Sequence, residues 1–129
     1  MIFDNKTLDE LSKKAKVSPR LRQSLDLRTS PDDQSQRMLN ALEPGTMVPI
    51  HRHRHSSETM VMVRGKLEEY LYDEDGKLTT TIIMEPGGAH PLIQLEKGQW
   101  HTLKCLESGT IIFEAKDGAY EALEKVDVR

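Results

Sequence analysis

The sequence predicts a single, mainly β domain with a short N-terminal helix. Its 129 residues are enough for one domain with a real core and too few for two. From residue 36 onward, short apolar segments alternate with turns rich in glycine, proline and aspartate, a pattern typical of an all-β sandwich or barrel. We therefore expect residues 1–33 to form a helix and linker that pack on a barrel made by residues 34–129.

The helix is predicted over about residues 7–16. Thr7 is followed three residues later by Glu10, which is the spacing of a capping box. An apolar stripe at helical spacing follows, and the helix should end before Pro19, because proline disfavours helical backbone in the residue that precedes it.

Strands are predicted in seven segments that lie between the turns. They are residues 37–42, 58–64, 66–72, 78–84, 92–95, 101–106 and 110–115, of which the first is ambiguous between helix and strand. In the second segment, alternation directs Glu58, Met60 and Met62 inward, and Val61 and Val63 outward. Because two valines should not face water, we expect the N-terminal helix or a second subunit to cover that outer face.

Composition excludes several classes of protein. A net charge of -3 argues against a general nucleic-acid or membrane-surface binder, and no apolar run approaches a transmembrane length. The first residues, MIFDNKTLDEL, carry acids and lack the apolar region of a secretory signal. The single cysteine excludes an internal disulfide and fits a reducing compartment. We therefore expect a cytoplasmic protein with neither nucleic acid nor membrane as a partner.

Three of the five histidines lie in one short run, His-Arg-His-Arg-His. In an extended segment, His51 and His53 point to one face and the intervening arginines to the other. Glu58 places a carboxylate at the start of the next strand, after a turn at two serines. Two imidazoles and a carboxylate form three parts of a metal site, and His101 is the candidate for the fourth.

Less specific interpretations of these histidines exist. The run could be a polar loop that binds metal adventitiously, but glycines at both ends and the apolar strand after it favour a specific site. His101 could be a core histidine packed beside a tryptophan. His55 lies on the His51 face only if the strand continues, and the serines after it indicate a turn, so we expect it to be exposed or to support the site from outside.

The spacing Gly45-x5-His51-x-His53-x4-Glu58-x6-Gly65 resembles the first motif of the cupin superfamily. The resemblance implies a jelly-roll barrel, also called a double-stranded β-helix, with both histidines and the glutamate as metal ligands. Cupin relatives commonly form dimers, so the resemblance also implies a homodimer.

The second cupin motif is matched in part. Gly98 and His101 stand at its glycine and histidine, which makes His101 the fourth ligand by resemblance. Glu96 stands where proline is usual, and Cys105 stands where asparagine is usual.

The chain also resembles the small cupin-fold metalloproteins of the WbuC type, which occur in bacterial surface-polysaccharide (O-antigen) gene clusters. The matching segments are Ser18-Pro19-Arg20-x-Arg22, Gln36–Leu42, the histidine motif, Asp73-x-Asp75-Gly76, Trp100-His101 and Phe113–Tyr120. This resemblance implies a role in polysaccharide biosynthesis and does not define a reaction.

Further side chains are candidates for the pocket. Cys105 shares a face with the fourth ligand and could line the pocket, although a buried small apolar residue is the alternative. His90 is expected in a loop near the barrel mouth. Arg20, Arg22 and Arg37 could grip an anionic ligand, or could instead bind the carbonyls at the helix C-terminus.

Three neutral imidazoles and one carboxylate suit a single divalent transition metal ion, namely Fe, Mn, Ni or Zn. Three functions remain open. One is a metal-dependent enzyme acting on a sugar or sugar-nucleotide, a second is a metal-dependent iron dioxygenase acting on a small organic substrate, and a third is a non-enzymatic metal- or carbohydrate-binding module. All three imply a small-molecule ligand, and the third stays open because the sequence offers no clear general base.

Overall fold

The computed structural model describes residues 1–129. It contains one α-helix, eight β-strands and one short 3-10 helix at Lys125–Asp127. The elements are α1 (Asn5–Val17), β1 (Arg22–Asp26), β2 (Gln36–Leu42), β3 (Glu58–Arg64), β4 (Leu67–Tyr72), β5 (Leu78–Met84), β6 (Leu92–Leu95), β7 (Trp100–Cys105) and β8 (Thr110–Lys116). None of the helices has the length and apolar character needed to cross a bilayer.

The strands form two antiparallel sheets, so the predicted mainly β fold is confirmed. One sheet has five strands in the order β1-β2-β8-β3-β6, and the other has three in the order β5-β4-β7. Alternating apolar side chains from both sheets meet between them, as expected for strands buried on one face. This core consists of Leu42, Met60, Met62, Leu67, Met84, Cys105 and Ile112.

Strand β1 lies upstream of the predicted start of the barrel at residue 34. It pairs antiparallel with β2, with Arg22 opposite Leu42 and Asp26 opposite Met38. Its sequence, RQSLD, is mostly polar, and its residues are half-buried or exposed at the edge of the sheet. Because an edge strand of this kind lacks apolar alternation, its sequence indicates a linker and not a strand.

The helix begins earlier than predicted, and the predicted capping box at Thr7 and Glu10 is wrong. Asp4 is the N-cap instead, and its carboxylate accepts a hydrogen bond of 3.0 Å from the backbone N–H of Thr7. Aspartate is as good a cap as threonine, and it satisfies the first open donors of a longer helix. The helix ends at Val17, just before the Ser18-Pro19 pair, as predicted.

The alternation predicted for β3 is confirmed. Met60 and Met62 are buried in the core, whereas Val61 and Val63 are half-buried on the outer face. Val63 packs against a cluster that includes Leu11 and Ala15 of α1, so the helix covers part of this face. The homodimer stays a prediction.

Candidate metal centre

Backbone pairing brings the histidine run to the distant strand β7. The N–H of His51 donates to the carbonyl of His101 at 3.0 Å, and the N–H of His101 donates back at 2.9 Å. The Thr102 hydroxyl also donates to the Val48 carbonyl at 2.7 Å. Two parts of the chain that are far apart in sequence therefore hold their imidazoles side by side.

The three imidazoles converge inside the mouth of the barrel. Their potential ligand nitrogens, on His51, His53 and His101, all lie within 4.8 Å of one another. His51 and His53 are half-buried, and His101 is buried. Converging nitrogen donors in a sheltered position are the first requirement of a transition-metal site.

Glu58, at the start of β3, lies beside two of the three histidines. Its Oε2 lies 3.6 Å from Nε2 of His53 and 3.9 Å from Nε2 of His101. This oxygen is buried and has no hydrogen-bond partner. Because an unpartnered buried carboxylate oxygen is costly, the arrangement fits a cation that would satisfy the oxygen together with the imidazoles.

Burial sets the protonation of the cluster in the direction that metal binding needs. It lowers the pKa of His51 and of His101 to about 4, and that of His53 to about 3. At neutral pH the imidazoles are therefore uncharged, which is the form that binds metal. Burial, reinforced by the negative charge of Glu114, raises the pKa of Glu58, so metal binding would displace a proton from this carboxyl group.

Two acceptors fix the orientation of the imidazole rings. Nδ1 of His51 is 2.8 Å from the Pro49 carbonyl, and Nδ1 of His101 is 3.1 Å from Oε1 of Glu69. A hydrogen on each Nδ1 leaves Nε2 free for a metal. Glu69 was missed in the sequence, although it lies two residues after the buried Leu67 and alternation therefore directs it inward.

Glu114 is the second site residue that sequence analysis missed. It lies on the inner face of β8, between Ile112 and Lys116, and the Asn40 side-chain amide donates to its Oε2 at 3.1 Å. Burial raises the pKa of its carboxyl group. The signal available in the sequence is alternation in β8, which places Glu114 on the same face as the core residue Ile112.

A cavity of about 660 Å³ opens beside the cluster. The three histidines, Glu58 and Glu114 all line it. The cavity is large enough for a small organic molecule, and its lining is rich in polar and charged groups.

Two of the three candidate arginines line this cavity, and the third does not. Arg20 and Arg22 are lining residues. Arg37 instead donates to the Asp33 carboxylate at 2.6 Å and to the carbonyl of Ser35 at 3.0 Å. These local bonds hold its guanidinium away from the cavity.

The remaining candidate side chains lie at the rim or elsewhere. His55 is exposed at the rim, where Nδ1 is 2.8 Å from Oε2 of Glu121. Cys105 is buried in the core, and its thiol faces the carbonyls of Leu42 and Glu107 rather than the cavity. His90 is exposed in the loop between β5 and β6, away from the cavity lining.

A C-terminal strap, defined here as residues 117–129, closes one side of the cavity. The buried Asp127 carboxylate accepts bonds from Arg52 at 3.2 Å and from Arg54 at 2.7 Å. The backbone N–H of Arg52 also donates to the Asp127 carbonyl at 3.0 Å. The two arginines that alternate with the histidines thus anchor the end of the chain, a role that the sequence did not indicate.

The family model for a domain of unknown function, DUF6016, matches residues 3–84. The chain belongs to the DUF6016 family. The matched part of this DUF6016 protein contains His51, His53 and Glu58, whereas His101 and Glu114 lie beyond it. A search of curated proteins gives no match.

The solved structures that are similar to this chain are cupin-fold proteins. KdgF from Halomonas sp. is 16% identical with a TM-score of 0.62, and the alignment covers 81% of this chain and 85% of that one. The cupin domain of Schizosaccharomyces pombe Cnp3 is 13% identical with a TM-score of 0.60, and the alignment covers 75% of this chain and 64% of that one. A variant of Bacillus subtilis oxalate decarboxylase OxdC is 21% identical with a TM-score of 0.59, with 76% of this chain and 25% of that one covered.

The DUF6016 chain therefore has the cupin fold and carries a three-histidine cluster suited to a metal. It spans about a quarter of the length of oxalate decarboxylase. At these identities the similarity defines the fold and does not carry an activity with it.

Proposed function

We propose that this protein is a metal-dependent cupin enzyme that acts on a sugar or sugar-nucleotide in bacterial surface-polysaccharide biosynthesis. The observation that carries the proposal is the meeting of three uncharged imidazoles with an unpartnered, buried oxygen of Glu58 at the wall of a cavity. The polar lining of the cavity and the resemblance to WbuC-type proteins support a sugar-derived substrate.

His51, His53, His101 and Glu58 would hold the metal ion. A divalent ion at this position would supply a Lewis acid for a carbonyl or hydroxyl oxygen of the substrate. Mixed nitrogen and oxygen donors suit iron, manganese, nickel or zinc.

Glu114 supports an enzyme over a binding module. Its carboxyl group faces the same cavity, and the amide of Asn40 orients it from the neighbouring strand. Because Glu114 is not needed to complete the predicted ligand set, it is free to take a proton from a bound substrate or to return one. It fills the role of the base for which the sequence offered no candidate.

The decisive experiment is metal analysis of untagged protein, purified anaerobically without chelator, by elemental mass spectrometry. We expect about one equivalent of a single metal in the wild type, and its loss in His53→Ala and in His101→Ala. His55→Ala is the matched control from the same run, because its exposed ring pairs with Glu121 at the rim. Circular dichroism of each variant checks that the fold is retained.

The outcomes separate the candidate functions. Zinc or manganese would favour sugar isomerisation, whereas iron together with air-sensitive activity would favour a dioxygenase. Wild-type protein that contains no metal and cannot be reloaded would refute the proposal.

A further inference from the structure

We propose that Arg20 and Arg22 form an anion subsite, which binds a phosphate or carboxylate group of an elongated substrate whose other end reaches the metal ligands. The part of this inference that concerns the metal end rests on the proposed function. The part that concerns the arginines stands on the contacts of the cavity wall.

The arginine side chains of this protein divide into two groups. Six of the eight donate to a carboxylate or a carbonyl through the guanidinium, namely Arg28, Arg37, Arg52, Arg54, Arg64 and Arg129. Arg20 and Arg22 make no such bond, and both line the cavity. The two arginines that the fold leaves without a bond from the guanidinium are therefore both residues that line the cavity.

The contacts also decide between the two roles considered for these arginines. If they capped the helix, their guanidinium groups would donate to the last carbonyls of α1. The carbonyl of Ala15 instead accepts from the backbone N–H of Ser18 at 3.2 Å, and neither guanidinium donates to the helix. The contacts therefore exclude helix capping and leave both guanidinium groups open to an anion in the cavity.

The backbone between the two arginines adopts a conformation that few residues take. Leu21 has a φ of 54°, in the left-handed region that is unfavourable for a residue with a branched side chain. Three bonds hold this turn: Leu21 N–H to the Ser18 carbonyl at 3.0 Å, Glu43 N–H to the Leu21 carbonyl at 3.0 Å, and the Thr46 hydroxyl to the Arg20 carbonyl at 2.8 Å. The fold thus fixes the backbone on both sides of Leu21, so the backbone positions of Arg20 and Arg22 are defined.

Strand register gives the backbone separation between two cationic residues of the cavity wall. Arg22 lies opposite Leu42 on β2, and Lys116 lies opposite Gln36 on the same strand and opposite Glu58 on β3. Six strand residues separate these positions, which corresponds to about 20 Å along the backbone. The Lys116 amine makes no ion pair or hydrogen bond either, although it stands next to a metal-ligand candidate and lines the cavity.

A ligand that uses the whole cavity is therefore elongated and anionic. A sugar-nucleotide combines an elongated shape with the negative charge and the hydroxyl groups that the lining matches, and a phosphorylated sugar offers the same charge and hydroxyl groups over a shorter span. The carboxylates of Glu121 and Glu124 lie at the opposite, strap side, where they pair with His55 and Arg54.

The test is calorimetric titration of the full-length protein, purified anaerobically without chelator, with four probes: uridine diphosphate glucose, glucose 1-phosphate, glucuronate and glucose. We expect at least one anionic probe to bind more tightly than glucose. In the Arg20→Ala/Arg22→Ala double variant, the Kd for that probe should rise about tenfold or more, because charge-assisted hydrogen bonds are lost. Arg28→Ala is the matched control, since Arg28 is engaged with Asp26 outside the cavity.

Each outcome counts for or against the subsite. Tight binding of glucose 1-phosphate would identify the anion as a phosphate, and tight binding of glucuronate would identify it as a carboxylate. Unchanged affinity in the double variant, or no binding of any anionic probe by the wild type, would overturn the inference. Metal content is measured on the same samples: a wild type that lacks metal, yet binds an anionic probe through the arginines, would refute the proposed function and leave the subsite intact.

Discussion

Glu69 Oε1 lies 3.1 Å from Nδ1 of His101, and both side chains are buried inside the barrel. Glu69 is fully buried, and its second oxygen has no hydrogen-bond partner. A carboxylate that accepts from Nδ1 fixes the imidazole tautomer and increases the basicity of Nε2. Nε2 of His101 is the nitrogen that faces Glu58, at 3.9 Å.

Replacement of Glu69 should therefore weaken metal binding without removing a ligand. We expect Glu69→Ala to lower metal affinity about 10- to 100-fold, as measured by competition with a chromophoric chelator. Glu69→Gln should have a smaller effect, because its amide oxygen can still accept from Nδ1. Glu68→Ala, on the opposite face of β4, is the control. Equal affinity in the wild type and Glu69→Ala would show that Glu69 does not act on the ligand.

The lowered histidine pKa values predict how stability depends on pH in the metal-free protein. The unfolded chain binds protons at these histidines below pH 6.5, whereas the folded His53 does so only near pH 3. The stability contributed by the uncharged ring is therefore present above pH 6.5 and lost as the pH falls toward the folded value. The raised pKa of Glu58 acts in the opposite sense, since its contribution is lost as the pH rises.

A variant isolates the histidine contribution from that of the carboxyl groups. We expect His53→Ala to make the free energy of unfolding fall less steeply than in the wild type between pH 6.5 and pH 4. The measurement is urea unfolding of chelator-treated protein at several pH values. Parallel curves for His53→Ala and the wild type would contradict the prediction.

Gly65, the glycine that closes the first motif, stands where no side chain fits. Its φ is +80°, and an added Cβ would lie 2.6 Å from the Cα of Thr110. Thr110 is fully buried and holds the backbone N–H of Lys66 through its hydroxyl at 3.1 Å. We expect Gly65→Ala to lower the free energy of unfolding by about 2 kcal/mol or more.

Gly98→Ala is a matched control for that substitution. Gly98 has the same φ of +80°, and nothing lies within 4 Å of an added Cβ. Urea unfolding of both variants separates the cost of the backbone conformation from the cost of the clash. If the two variants were equally stable, the close approach of Gly65 to Thr110 would not be the reason for glycine at that position.

The C-terminal strap is predicted to be anchored by the buried Asp127 carboxylate and not by the exposed Glu124 carboxylate. The Asp127 side chain is 9% exposed and binds two arginines, whereas the Glu124 side chain is 72% exposed. We expect Asp127→Asn to increase hydrogen–deuterium exchange in the strap about tenfold, because Arg52 and Arg54 lose the buried carboxylate that they share. Glu124→Gln should change it little, since exposed pairs contribute little. Equal exchange rates of the strap in the two variants would show that the pair between Asp127 and the arginines does not anchor the strap.

Six of the eight strands could be predicted because their signal is local, whereas the segment that forms β2 was ambiguous between helix and strand. Strand β3 alternates buried and half-buried residues along its length, and β5 is bounded by turns that contain glycine or proline. Strand β1 could not be predicted in this way, because partner β2 stabilises it as a polar edge strand. The helix start was misplaced because Asp4 and Thr7 are both capable caps, and a pattern alone does not rank them.

The sequence by itself determined that His51 and His53 share one face, because an extended backbone fixes which neighbours point the same way, and it placed Glu58 five residues later, after the turn. Only the tertiary structure decided the rest of the site. Glu69 and Glu114 come to the cluster through strand pairing and burial, and neither has a sequence neighbour that indicates a ligand or a base. Pairing of β1 with β2 also decided that Arg22 faces the cavity, whereas Arg37 is held away from it by a local bond to Asp33. The charge and reach of a side chain are local properties, but its partners depend on which strands the fold brings together.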